Sequence, residues 1–339
     1  MLSVEIPPQF NSNFRASILR KHELGDTTLG APIAIFGFNR PENLRRLFEN
    51  LRSCAGFSDS KIYVFVDGPR SAVDVPLVEE VRKVVLSYSA VDWILSFSDH
   101  NKGCRAAIAE GITKVCHEND RVIVIEDDLR LSSKALDYFN EGLDRYVNDA
   151  RVWSICGYGF RSKALEQENR AFFMPYAHPW GWATWSRAWL KFDIAQPALD
   201  RQLIKSSTFR KLFNIGGLVN ATDLLELEML GKVSCWDVRW YWKIFSSGGV
   251  SLFPTQNYVE NLGVRSGGTH ASGLNPYGLI MQSGFALNES LPIYPNDVSS
   301  DYGAIDAMRD GLDARVSRIV AKLGRWRRLL NLRSGGPLA

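Results

Sequence analysis

The hydrophobic pattern carries little periodicity through about residue 30 and becomes ordered at Pro32. Ile33-Ala34-Ile35-Phe36 is a short apolar run, and Asn39-Arg40-Pro41 after it supplies a cap and a proline suited to a helix start. Leu44, Leu47, Phe48 and Leu51 then recur at helical spacing on one face. Further strands are predicted at Ile62–Val66, stopped by the turn Asp67-Gly68-Pro69, at Trp93–Phe97 and at Val122–Ile125. Between them fall a helix near 76–88 and one marked by Ile108, Ile112 and Val115. Apolar runs of this kind suit strands covered on both faces. Their alternation with helices predicts an α/β fold built on a mainly parallel sheet with helices on both sides.

Beyond residue 130 the pattern changes. Ser132 or Ser133 is placed to cap a helix striped by Leu136, Phe139, Leu143 and Val147. Strands follow at Val152–Cys156 and near Phe172–Met174, then the aromatic stretch Trp180-Gly181-Trp182-Ala183-Thr184-Trp185, read either as core or as a sugar-pocket wall. Helices are expected at 199–213, 221–230 and 236–247, and a strand at Val250–Phe253. Residues 261–300, rich in Gly, Ser, Asn and Pro, read as a mobile loop. The resulting organisation is a lead-in over 1–30, a nucleotide-sugar-binding half over 31–130, an acceptor and catalytic half over 131–260, the loop 261–300, and a C-terminal helix within 301–339. That helix, over 315–333, carries seven Lys/Arg and no acid. Two readings stand for it: a membrane-surface helix, or a helix packed on the domain with a solvated basic face.

Composition adds bounds. The 339 residues suffice for a substantial core, and 45% hydrophobic with 23% charged residues is ordinary for a globular protein. A net charge of +3 gives no reason to expect a nucleic-acid partner. Five unpatterned cysteines, and an N-terminus without the layout of a signal peptide, are read as cytoplasmic. No apolar run approaches the roughly 18 residues of a membrane span.

The chemistry gathers at strand ends, where open α/β sheets bind ligands. Asn39-Arg40, Asp67 and Glu126-Asp127-Asp128 follow three of the strands and should share one crevice. Three consecutive acids repel one another unless a cation or donors satisfy them, and oxygen ligands select Mg²⁺ or Mn²⁺. The bland reading is a polar strand end capping the next helix. Arg40 is either an anion clamp or a solvated arginine, and Asp67 either a nucleobase or ribose contact or an ordinary Asp-Gly turn. The sequence contains no GxxxxGK[ST], no GxGxxG after a strand, no HExxH and no GxSxG.

Taken in order, these residues resemble the nucleotide-sugar transferases of the GT-A fold, whose signature is an acidic motif after a strand. The likeness is to the N-acetylglucosaminyltransferase I family, which carries Glu-Asp-Asp-Leu there. The matching pieces are Phe38-Asn39-Arg40 with Arg45-Arg46, Asp67-Gly68, Val124-Ile125-Glu126-Asp127-Asp128-Leu129, Tyr138-Phe139, Gly181-Trp182 and Trp236-Asp237, spread over about 32–265. The resemblance implies an inverting transfer from a nucleotide-sugar, UDP favoured, to a glycan or lipid-linked saccharide in bacterial polysaccharide synthesis. It implies Asp128 on the metal, Asp127 on the ribose, Glu126 on the donor sugar, and Arg40 and Asp67 on the nucleotide. Asp237 becomes the candidate base, although the family shows two acids where this chain shows one, and Ser234-Cys235-Trp236-Asp237 also reads as a capping box. In the glycine-bearing loop, Arg265 is a candidate for the phosphates and His270 for the metal. The competing readings are a catalytically inactive glycan-binding module and a sugar-nucleotide nucleotidyltransferase. The latter is disfavoured by the single glycine in Phe36-Gly37-Phe38-Asn39-Arg40-Pro41.

Overall fold

A computed structural model describes residues 30–160, 162–194, 201–263 and 286–312. Strand β1 (Gly30–Gly37) enters helix α1 (Pro41–Arg52) with Pro41 in its first turn, and Leu44, Leu47, Phe48 and Leu51 form the buried face. There follow β2 (Ser60–Val66), α2 (Val75–Tyr88), β3 (Ile94–Phe97), α3 (Gly103–Glu118) and β4 (Arg121–Glu126). A short strand β5 (Leu129–Leu131) leads to α4 (Ala135–Arg145) and β6 (Val152–Cys156). Neither Ser132 nor Ser133 caps α4 in the expected way: Lys134 occupies that position, and Ser132 Oγ accepts only the Lys134 amide, at 3.0 Å. Val147 lies past the end of α4 and is exposed.

The remaining elements are β7 (Ala171–Met174), β8 (Trp182–Trp185), α5 (Ser186–Trp189), α6 (Arg201–Lys205), α7 (Ser207–Phe213), α8 (Ala221–Met229), α9 (Trp236–Ser246), β9 (Val250–Pro254) and β10 (Val259–Asn261). The helix expected over 199–213 is thus two short helices broken at Ser206, whose side chain caps the second by accepting from the Phe209 amide. One eight-stranded sheet runs β3-β2-β1-β4-β8-β6-β9-β7. β3, β2, β1 and β4 are parallel, β8 is antiparallel to both β4 and β6, β9 is parallel to β6, and β7 closes the edge antiparallel to β9. The architecture is therefore α/β with a mainly parallel sheet.

Helices pack on both faces. Ile33, Ile35, Leu47, Val81 and Leu136 share one core, whereas Ala34, Ile112, Val124, Trp182 and Trp240 share the other. The aromatic stretch is divided between the cores: Ala183 and Trp185 join the first, while Trp182 of β8 is buried in the second, stacked on Trp236 of α9 at 5.4 Å, with Trp189 and Trp240 around it. Residues 286–300 contain no regular element, as expected of a loop, yet they are pinned to the sheet edge. Ile293 exchanges backbone hydrogen bonds with Asn169 and Ala171, and Asp301 donates to Phe173. A helix over 302–312 then buries Ala304, Ile305, Met308 and Leu312 beside Phe172 and Phe253. The basic stretch 315–333 lies outside the described residues. Among those described, no helix is long and apolar enough to cross a membrane.

Candidate active site

Parallel pairing of β1 with β4 sets Phe36 opposite Glu126, so the turn after β1 faces the acids after β4. Arg40, at the N-terminal boundary of α1, reaches across that gap. Its Nη2 lies 2.5 Å from Asp127 Oδ1 and its Nη1 3.0 Å from Asp128 Oδ2. The Asp128 contact is an aligned hydrogen bond. The Asp127 contact is one of charge, since neither oxygen of that buried carboxylate has an aligned donor.

The electrostatics follow from this crowding. Burial, opposed by Arg40 and reinforced by Asp128, pushes the Asp127 carboxyl up to about 7. Glu126 is raised well above the usual carboxylate range by burial first, then by the charges of Asp128, Asp127 and Asp237. Asp237, in the first turn of α9, therefore belongs to the same cluster although it lies 109 to 111 positions later in the chain. Glu126, Asp127 and Asp128 stand against the guanidinium of Arg40, itself held charged by those three acids against the opposing effect of burial.

Asp237 does not form the capping box that its sequence context suggests. Cys235 is the residue at the helix boundary and no side chain caps it. The Asp237 Oδ1 instead accepts a hydrogen bond from the Cys235 thiol at 2.7 Å.

Asp67 follows directly on β2, as expected, and its carboxylate is engaged by the chain itself. Its Oδ1 accepts from the amides of Gly68 at 2.9 Å and Lys102 at 2.8 Å, and its Oδ2 from Asn101 Nδ2 and the Gly103 amide, both at 3.0 Å. The four lone-pair directions of a carboxylate are thereby filled by the chain itself. Asp67 fastens the start of α3 to the end of β2. Asn39 is also engaged, donating to Asp74 Oδ1 at 2.7 Å.

On the other side of the acids, β10 pairs antiparallel with β5 and brings Leu262 to donate its amide to the Asp128 carbonyl at 2.8 Å. A Cβ on Gly263 would sit 2.5 Å from Asp128 Oδ2. The backbone thus passes directly over Asp128. Arg265 and His270 follow at once in the sequence but lie outside the described residues.

Among the described residues no three His, Cys, Asp or Glu side chains converge to hold a metal ion. The donor set fits a hard cation in a narrower sense. Mg²⁺-type ions are commonly held by one or two carboxylates, with phosphate and water oxygens completing the shell, and the cluster offers such carboxylates with an excess of negative charge.

Sequence reasoning missed a buried group behind this site. Glu228 of α8 has a fully buried side chain whose Oε1 meets Arg239 Nε at 2.6 Å and Arg105 Nη1 at 2.7 Å, while Oε2 accepts the Cys235 amide at 2.9 Å. The signal was available: Ala221, Leu225 and Glu228 recur at i, i+4, i+7, placing a carboxylate on the apolar stripe.

No family model and no curated protein matches the sequence. Solved structures give weak likenesses. One is the mannosyltransferase PcManGT from Pyrobaculum calidifontis in complex with GDP-Man and Mn2+, at TM-score 0.37 and 12% identity over 78% of this chain and 86% of that one. A second is a cytidylyltransferase from Leptospira borgpetersenii serovar Hardjo-bovis, at 0.32 and 11% over 50% and 66%. A third is glucosyl-3-phosphoglycerate synthase from Mycobacterium tuberculosis in complex with Mn2+, UDP and glucosyl-3-phosphoglycerate, at 0.29 and 10% over 54% and 63%. These scores are too low to carry a reaction or a residue role across, and the three proteins do not share one reaction.

Proposed function

We propose that this chain is an inverting glycosyltransferase that moves a sugar from a nucleotide-sugar to a glycan or lipid-linked saccharide acceptor, with a UDP-sugar as the favoured donor. The observation that carries the reading is the gathering of Glu126, Asp127 and Asp128 around Arg40 at the carboxyl ends of β1 and β4, with the charge of Asp237 felt by Glu126. Such a concentration of acid is costly to a fold that merely needs to be stable. It suits a site completed by a cation and a diphosphate. Asp128, beneath the backbone of Gly263, would hold the ion, with His270 a further ligand. A bound Mg²⁺ or Mn²⁺ would stabilise the charge of the departing diphosphate.

The chain's own residues supply the rest. Arg40 orients the diphosphate, aided by Arg265, and Asp127 and Glu126 accept hydrogen bonds from ribose and donor-sugar hydroxyls. Asp237 takes the proton of the acceptor hydroxyl as its oxygen bonds to the anomeric carbon and the bond from that carbon to the phosphate oxygen breaks on the opposite side. Asp67 acts at one remove, by holding α3 in place.

The reading is tested by incubating the full-length chain and Asp128→Ala with a panel of UDP- and GDP-sugars and Mn²⁺, and measuring released nucleoside diphosphate. Release by wild type and not by the variant supports it. Binding of sugars without release from any donor favours the glycan-binding module instead.

A further inference from the structure

The candidate base is held by a thiol, and the thiol is anchored from behind. Cys235 makes two contacts in opposite directions: its amide donates to Glu228 Oε2 at 2.9 Å, and its Sγ donates to Asp237 Oδ1 at 2.7 Å. Glu228 cannot drift, because Arg239 of its neighbouring helix and Arg105 of α3 both grip Oε1. Arg239 also donates Nη1 to the Ile194 carbonyl at 2.9 Å. The position of α3 is set by Asp67, which accepts from the amides of Lys102 and Gly103, three and two residues before Arg105. Polar contacts, joined by the backbone of α3, therefore link the end of β2 through α8 to the carboxylate of Asp237.

We infer that Cys235 is a positioning residue for Asp237, and that Glu228, clamped by Arg105 and Arg239, fixes Cys235 in that task. The inference rests on Asp237 as the base. A carboxylate in the first turn of a helix would ordinarily turn back to the free amides there. The thiol engages Oδ1 instead, and Glu126 feels the charge of the Asp237 carboxylate so held. Burial and the Asp237 carboxylate both keep the thiol protonated, so it remains a donor. The groups facing Asp237 are Glu126 from β4, Cys104 from α3, Cys235 from its own helix boundary, and Tyr176 after β7, whose phenol is raised by burial first and by Asp237 next. Cys235 is thus the donor that the structure supplies to Asp237 from behind.

The test uses the full-length chain with Cys235→Ala, Cys235→Ser, Glu228→Gln and Asp237→Asn made singly, alkylation of Cys235 being told from that of the exposed Cys104 by peptide mass. Two quantities are read: nucleoside diphosphate release from the panel of UDP- and GDP-sugars with Mn²⁺, and the rate at which iodoacetamide alkylates Cys235. Losing a hydrogen bond to a charged group should lower kcat about tenfold in Cys235→Ala with donor KM unchanged, and Cys235→Ser should recover most of it. Asp237→Asn should speed Cys235 alkylation by roughly tenfold, because the thiol ionises more readily without the adjacent carboxylate. Wild-type kcat in Cys235→Ala, with Asp237→Asn inactive, would overturn the positioning role and leave the base standing. Full kcat in Asp237→Asn would remove the base itself. If no donor in the panel turns over, an alkylation rate indifferent to Asp237→Asn overturns the pairing alone.

Discussion

The guanidinium of Arg40 and the carboxylate of Asp127 stand 2.5 Å apart, Nη2 to Oδ1, joining the turn after β1 to the end of β4. One side of this pair is 2% exposed and the other about a third exposed. The buried partner has little water to stabilise its charge, and Asp128 and Glu126 beside it demand the same cation. The crowding of these acids is therefore a cost to the fold.

That arrangement predicts the behaviour of Asp127→Asn. The folded-state pKa of Asp127 is raised, from 3.8 to about 7, so its ionised form costs stability above that range. The cost is relieved as pH falls from about 7 toward 3.8. In metal-free buffer Asp127→Asn should melt above wild type at pH 8, by an amount on the order of a few kcal/mol, with the gap shrinking at pH 5. Nucleotide binding should be lost in the same variant. Calorimetric melting at the two pH values checks the first part, and titration with UDP or GDP and Mn²⁺ the second.

Buried His178 acts in the opposite sense. Burial among Tyr158, Phe160, Tyr176 and Trp180 lowers its pKa from 6.5 to about 3. A group depressed in this way leaves stability intact above 6.5 and removes it as pH falls from 6.5 toward 3. Compared with wild type, His178→Asn should show a shallower loss of stability across that window, whatever its offset at neutral pH. Urea unfolding at a series of pH values measures the difference in slope.

Glu228 should be the most sensitive charged position in the chain. Replacing it with Ala leaves the buried guanidinium of Arg239 without its partner and the Cys235 amide without its acceptor. Breaking a buried pair from one side costs about 3–5 kcal/mol. The expected result is a large fall in the denaturant midpoint, whereas Glu42→Ala, which removes only exposed pairs with Arg45 and Arg46, should change little.

Gly263 should tolerate no side chain without cost to the site. A methyl group there would press on Asp128 Oδ2. Gly263→Ala is expected to weaken metal-dependent nucleotide binding while leaving the melting temperature of the free protein close to wild type. Equal losses in both would assign the glycine to the fold instead.

Much of this was legible in the chain. The apolar runs at Ile33–Phe36, Ile62–Val66 and Val122–Ile125 read as strands because they are only four or five residues long, rich in Ile and Val, and bounded by polar or turn residues. The meeting of Arg40 with the acids was legible from strand ends alone. Less was visible where tertiary contacts decide. The Trp182–Trp185 strand hid in an aromatic cluster whose composition does not separate a core strand from a pocket wall. Asp67 read as a turn residue or a ligand contact, but its partners Asn101, Lys102 and Gly103 lie some 35 positions away. The thiol that engages Asp237 was visible only as a residue in a capping pattern, because the competing hydrogen bond depends on how Glu228 holds the helix boundary.

The central claim is that the acids after β4 form a cation-assisted nucleotide site. Its most direct test is the melting temperature of the purified chain against nucleoside diphosphates, in Mn²⁺ or in EDTA. A ligand held only by the folded state adds about 2.7 kcal/mol at a hundred times its Kd. The account predicts a rise with UDP or GDP in Mn²⁺ that vanishes in EDTA and in Asp128→Ala. An unmoved melting temperature with every nucleotide, or a rise undiminished in Asp128→Ala, would contradict it.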